Sequence, residues 1–344
     1  ILGHDDPTMI RRLEDITGIK ATTIALDDPD VMSLFHSTKA LGITPDDIGG
    51  IPLGSLGIPE FGTDFVIQML IDTKPKSFSD LIRISGLSHG TDVWLGNAQA
   101  LIEQGKAEIS GCICTRDDIM TYLINQGMEK GLSFTIMESV RKGKGLKPEW
   151  EEEMKKFDVP DWYIWSCERI KYMFPKAHAA AYVMMAWRIA WYKVFHPLAY
   201  YTAFFSIRAS AFSYEYMCLG KEKLEEHLNA LLKMPKDQTT KKEQDLIRDM
   251  RIVQEMYARG FEFMPIDVFK AHPNRFQIMD GKLMPALNTI EGLGDNAAVS
   301  IAEAAKDGPF LSKDDFRERT HVSKGVVDLM ADLGLLGDIP ESNQ

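Results

Sequence analysis

The sequence predicts a mainly α chain of two or three domains with one small β region. Segments with apolar residues at helical spacing recur between residues 63 and 257 and resume at Asp295. Strand-like patterning is confined to residues 265–288. The 344 residues are 45% hydrophobic and 26% charged, a globular composition in a chain too long for one ordinary small domain.

Each element has its own signal. Turn residues are dense from Gly42 to Gly62, but Ile and Leu are interleaved throughout, so this stretch reads as a folded loop and not a linker. Residues 63–72 form a short amphipathic helix, and 78–84 begin another, halted at Ser85-Gly86. Residues 116–127 and 135–142 have helical periodicity, and 148–157 read as a charged, exposed helix. Residues 162–174 and 176–195 are two helices separated by Pro175, which suits the first turn of a helix and would break a continuous one. The second is apolar nearly all round and must be largely buried, with Met184, Met185, Trp187 and Trp191 as core. Residues 221–257 are helical and rich in charge, with 236–243 as an exposed turn. Phe276-Gln-Ile-Met, Asp280-Gly281 and Lys282-Leu-Met spell a hairpin with an Asp-Gly turn. A domain boundary is expected between Ala209 and Lys221 or slightly later.

Composition narrows the function. No apolar run reaches the ~20 residues a membrane span needs, and the start lacks the basic and long apolar regions of a signal peptide. It also lacks an initiator Met, as if cut from a longer chain. Cys112, Cys114, Cys167 and Cys218 make no disulfide framework and no zinc-type cluster, which fits a reducing, cytoplasmic setting without zinc. A net charge of −11 argues against nucleic acid, yet the charges are segregated. Between Glu168 and Glu215 there is no acid, while Arg169, Lys171, Lys176, Arg188, Lys193 and Arg208 all fall in that interval.

The sharpest motif is Phe174-Pro-Lys-Ala-His-Ala-Ala-Ala-Tyr182. With Pro175 opening a helix, His178 and Tyr182 lie one turn apart on one face, and Lys176 sits in the first turn, where amides and dipole favour an anion. A Lys, an imidazole and a helix N-terminus together suit a triphosphate, and the alanines leave room for a bulky ligand. The competing reading is a buried helix whose His and Lys only snorkel or cap. A second motif runs from Leu287 to Ile301, with the Ile-Glu-Gly-Leu-Gly pattern of a helix-hairpin-helix at about 286–302. Gly292, Leu293 and Gly294 would make the tight turn and expose amides to a DNA phosphate, and Ala298 would let the helices approach. A purely structural αα-hairpin is the alternative. Leu81 to Gly90 looks similar but lacks the second glycine in register.

The first motif, continued by Trp187-Arg-Ile-Ala-Trp-Tyr-Lys-Val-Phe-His-Pro197 and Ala203-Phe-Phe, resembles the fingers signature of the C-family replicative DNA polymerases, the α subunit of bacterial DNA polymerase III, and in its wording the Gram-positive type. The resemblance covers essentially the whole chain. It implies helical polymerase fingers followed by a duplex-binding domain with a helix-hairpin-helix and a small β-hairpin region. It carries Lys176, His178 and Tyr182 over to nucleotide binding. Arg116 and the basic turn from Arg141 to Lys147 would add charge to the same cleft, through Arg141, Lys142 and, toward DNA, Lys144. The implied partition is palm edge and start of fingers over 1–40, fingers over 41–212 and duplex-binding domain over 213–344.

The resemblance also implies what lies elsewhere. In that family palm carboxylates hold two Mg²⁺ ions, from an Asp-x-Asp element and from a strand reading Asp-Ile/Phe-Leu-Gly. Ile1-Leu2-Gly3 would follow the third aspartate. Asp28-Pro29-Asp30 has a turn-like setting, so no catalytic residue and no metal ligand is assigned. Gln344 would be the first residue of a sliding-clamp-binding peptide. Expected partners are primer-template DNA, the incoming dNTP, the palm and remaining polymerase domains, and the clamp in the complete protein, with no membrane. The rival from another class is a non-enzymatic helix-hairpin-helix DNA-binding protein, which would leave Lys176, His178 and Tyr182 unexplained.

Overall fold

A computed structural model describes residues 5–343. Ile1-Leu2-Gly3 and Gln344, on which the palm-strand and clamp-peptide expectations fall, lie outside the described residues. Seventeen α-helices, short 3₁₀ and π turns and one two-stranded antiparallel sheet make up the described chain, so the mainly α expectation holds. It divides into two compact units that are not contiguous in sequence. The first comprises residues 5–6, 24–40 and 52–190, the second residues 7–23, 41–51 and 191–343.

In the first unit the helix Lys176–Phe195 begins where Pro175 predicts. Its stretch up to Ala190 buries Ala179, Val183, Ala186, Trp187 and Ile189, and the Trp187 Nε1–H donates to the Ala25 carbonyl at 2.9 Å. Met184 and Met185 are half-buried at the edge of that core. The helix Asp64–Thr73 is capped by Thr63, whose hydroxyl accepts the Val66 amide at 3.3 Å. The Gly/Pro stretch is folded as expected, with Leu53, Leu56, Ile58 and Phe61 buried.

Three helix boundaries differ from expectation, the first two for packing or pairing reasons. The helix from Phe78 runs through Ser85-Gly86 to His89. Gly86 is a contact and not a stop: a Cβ there would meet the Cys114 carbonyl oxygen at 2.8 Å. The helix Asp161–Arg169 ends short of Phe174, because Lys171 and Tyr172 pair with Thr91, which donates its amide to the Tyr172 carbonyl at 2.9 Å. The helix Lys130–Arg141 starts earlier than its periodicity suggests, and the Ser133 hydroxyl in its first turn bonds back to the Glu129 carbonyl at 2.8 Å.

In the second unit the helices Lys221–Leu232 and Lys241–Ala258 pack together. Lys193 is fully buried, with Nζ 2.9 Å from Glu255 Oε1, and the Tyr201 hydroxyl donates to the same oxygen at 2.6 Å. Burial pushes the Lys193 ammonium down to about 8. Lys193 therefore contributes nothing to the positive surface its acid-free sequence neighbourhood suggested. Gln277–Met279 pairs antiparallel with Lys282–Met284 in the expected hairpin. Asp280 and Gly281 both take positive φ, 52° and 73°, as a two-residue turn of this kind requires. A further core gathers Leu287, Ile290, Leu293, Ala298, Ile301, Phe316, Val327 and Met330.

Candidate functional site

Two helix N-termini meet in the first unit. Thr115 and Asp118 form a capping box at the start of Arg116–Asn125, with Asp118 Oδ2 accepting the Thr115 amide at 2.9 Å. Next to it, Asp117 reaches across and accepts the Lys176 backbone amide at 2.9 Å through Oδ2. An anion thus already sits on the amide where a phosphate was expected, and it is a carboxylate of the chain itself. Arg116, half-buried, adjoins it in sequence, and Lys176, Ala177 and His178 are exposed. The structure therefore places the Arg116 and Lys176 helix starts together.

The face bearing His178 and Tyr182 is backed by rings. The Phe174 centroid lies 6.0 Å from His178 and 6.1 Å from Tyr182, so both belong to one side of the helix. Behind them is His89, whose ring lies 4.9 Å from Phe174 and 6.3 Å from Tyr182. His89 Nε2 in turn contacts Glu60 Oε2. Sequence reasoning missed His89, Glu60 and Asp117. The first two stand 29 residues apart and Asp117 stands 59 from Lys176, so no local pattern joins them.

The basic turn docks onto the segment leading into this motif. Gly143 has φ 78°, and a Cβ there would meet the Lys171 carbonyl oxygen at 2.7 Å. Its glycine therefore admits protein backbone, where a close phosphate approach was expected. Gly145, with φ 71° and open space around it, retains that possibility. Arg141 is forked onto Glu138, with Nε–Oε1 at 2.7 Å and Nη2–Oε2 at 2.8 Å, and Lys142 lies 3.6 Å from the same carboxylate. The Arg141 hydrogen bonds hold the Glu138 carboxyl below its ordinary range. The exposed Lys144 ammonium has no partner among the described residues.

The hairpin-helix lies in the second unit. A 3₁₀ turn, Leu287–Thr289, leads to Gly292 in left-handed backbone (φ 78°), and Gly294 is the N-cap of Asp295–Ala305. Both glycines are exposed, and neither amide donates to an acceptor among the described residues. Leu293 does something else: its side chain is buried and its amide donates to the Ile290 carbonyl at 3.1 Å, which anchors the turn. Asn288 Nδ2 ties to Asp295 Oδ1 at 3.0 Å across the opening. Nearby, Leu287 and Asn288 donate to the carbonyls of His272 and Pro273, both at 3.0 Å. The His272 imidazole is pushed below its ordinary value, first by burial and then by Arg275 and Arg12.

Among the described residues no group of three His, Cys, Asp or Glu comes together as a metal centre. Asp28, in the sole Asp-x-Asp element, caps Pro29–Ser33 by accepting the Asp30 and Val31 amides at 2.9 and 3.2 Å. The residues described thus do not fit a two-metal carboxylate site. Cys112, Cys114 and Cys167 are buried thiols whose ionisation burial pushes up.

Residues 6–158 match the family described as the bacterial DNA polymerase III alpha subunit finger domain, and residues 260–344 match a helix-hairpin-helix motif. The whole chain is 52% identical to the DNA polymerase III PolC-type proteins of Caldanaerobacter subterraneus subsp. tengcongensis and Bacillus subtilis, each over 344 residues. It is also 52% identical to that of Clostridium perfringens over 347 residues. The chain spans 24% of the length of each of these relatives. The Lys176–Tyr182 motif lies beyond the stretch matched to the finger family and within the chain-long match to the relatives.

Proposed function

This chain belongs, along its whole length, with the PolC-type α subunits of bacterial DNA polymerase III, and from that premise we propose that it is the part of a replicative polymerase that grips the incoming nucleotide and the new duplex. The activity to which it contributes is templated nucleotidyl transfer. The observation that carries the reading is the convergence, in one compact unit, of the Lys176 helix start, the Arg116 helix start and the ring-backed face of His178 and Tyr182. Lys176, with Arg116, neutralises and orients the triphosphate, while His178 and Tyr182 contact the rest of the nucleotide. Arg141 and Lys142 form an outer rim that gains its full charge for phosphate only when Glu138 yields. Lys144 adds charge toward the DNA backbone. The amides of Gly292 and Gly294 hold a backbone phosphate of the duplex without reading sequence, and the Leu293 anchor keeps them outward.

We assign the palm edge to 1–40, the fingers to 41–212 and the duplex-binding domain to 213–344. Mg²⁺ belongs to the complete enzyme, on carboxylates other than the described ones. The palm and remaining polymerase domains, primer-template DNA, dNTP and, in the complete cytoplasmic protein, a sliding clamp are the partners. Hydrogen exchange tests the reading. When the complete polymerase on primer-template receives the next correct dNTP, amides across 176–182 should gain protection. No change there, with protection elsewhere in the fingers, would move the nucleotide site off this helix.

A further inference from the structure

Glu60 is held in left-handed backbone (φ 73°), a conformation that disfavours any residue with a Cβ and that Asn or Asp tolerates better than Glu. Its side chain is nevertheless only 4% exposed. A buried carboxylate is costly unless partnered, and strain of this kind persists only where the surroundings enforce it. The partners are specific. Oε2 contacts His89 Nε2 and accepts the Ser85 hydroxyl at 3.4 Å. Ser85 and His89 are one turn apart on the helix Phe78–His89, so that helix offers two groups to one oxygen.

What this arrangement fixes is a ring. His89 is 14% exposed and lies against Phe174 and Tyr182 at 4.9 and 6.3 Å, with Phe174 and Tyr182 themselves 6.1 Å apart. Phe174 also backs the exposed His178 at 6.0 Å. A chain of contacts therefore runs from a strained carboxylate, through one imidazole, to the two residues assigned to the nucleotide. Without a hydrogen bond on Nε2 the His89 ring could rotate, and Phe174 and Tyr182 would lose a fixed neighbour.

We propose that Glu60 and His89 are a positioning pair for the nucleotide site, holding Phe174 and Tyr182 in the orientation that receives the incoming dNTP. Neither touches the nucleotide. Glu60 locks the His89 ring, and the ring sets the aromatic wall. The inference rests on the reading of Tyr182 and His178 as nucleotide-binding residues.

The test uses the complete polymerase and single-nucleotide incorporation, with primer-template affinity and thermal unfolding measured alongside. Glu60→Ala and His89→Ala should each weaken apparent dNTP affinity about tenfold, the scale expected when a supporting group misplaces a contact, and leave primer-template affinity unchanged. Glu60→Gln, whose amide oxygen still accepts from His89, should recover most of that loss. His89→Phe keeps a ring but no hydrogen bond, so it should behave like His89→Ala, and it carries the test should either alanine variant fail to fold. In a Tyr182→Ala background, Glu60→Ala should cost clearly less than in the parent enzyme, because part of its effect passes through Tyr182 and only the part through Phe174 and His178 remains. Equal effects in both backgrounds, or a loss confined to thermal unfolding, would overturn the proposal while leaving the site intact. Unchanged dNTP affinity in Tyr182→Ala alone would instead overturn the site, and this inference with it.

Discussion

Asp249 is fully buried on the helix Lys241–Ala258, where Oδ2 accepts the Ala211 amide at 2.9 Å and Oδ1 has no hydrogen-bond partner among the described residues. Burial pushes its carboxyl up from 3.8 to about 6, against the downward pull of the Ala211 amide and Arg248. A carboxyl raised in this way binds more protons folded than unfolded between the two values, so its contribution to stability falls as pH rises through that interval. Asp249→Asn keeps the shape and an acceptor for Ala211 but cannot ionise. It should stabilise the protein by about 1–2 kcal/mol at pH 8, with the difference vanishing near pH 4. Urea unfolding at both pH values checks this. A variant less stable than the parent at pH 8 would mean that Arg248, 3.6 Å away, satisfies the charge. Charge states of this kind were not legible in the sequence. Lys193 belonged to an acid-free interval, yet its partner Glu255 arrives from 62 residues away.

Among the elements, the hairpin-helix offers a clean separation of folding from binding. Gly292 needs its positive φ of 78°, so any substitution there strains the turn by about 1–2 kcal/mol and confounds a binding measurement. Gly294 has an ordinary φ of −75° and nothing within 4 Å of a built Cβ. Gly294→Leu should therefore fold, losing at most about 1 kcal/mol because leucine is a poorer N-cap than glycine. It should weaken duplex binding to a similar degree for all sequences, since a phosphate contact carries no base information. Unchanged affinity in the folded variant would make the hairpin purely structural. Elements with strong local signals were readable: Pro175 opens its helix and Asp280-Gly281 turns its hairpin. Misplaced boundaries trace mainly to distant partners. Gly86 looks like a helix stop until Cys114 is seen against it, and Tyr172 leaves its helix to pair with Thr91. The site divides the same way. Lys176, His178 and Tyr182 lie within one short motif and could be singled out from the sequence as candidates, whereas Asp117, Glu60 and His89 join them only through the fold.

At the scale of the whole molecule, the chain carries the surfaces proposed to grip nucleotide and duplex without a described cluster of metal-binding carboxylates, and its relatives are about four times as long. The isolated chain should accordingly fail to extend a primer with Mg²⁺ and all four dNTPs. Extension by rigorously purified chain, abolished by a substitution within it, would show that its own residues suffice. The central claim is that Lys176 meets the triphosphate. A charge-assisted contact to phosphate is worth about 1.5–3 kcal/mol, or roughly 10- to 150-fold. Lys176→Arg should recover only part of any loss, because a planar guanidinium does not replace a compact ammonium beside the alanines of this helix. The most direct measurement is single-nucleotide incorporation by the complete polymerase carrying Lys176→Ala, with primer-template affinity determined on the same preparation. The account predicts at least about a tenfold loss in dNTP use, divided between apparent affinity and maximal rate, with primer-template affinity preserved. Intact nucleotide kinetics with weakened primer-template binding would place Lys176 on the DNA backbone and contradict the account.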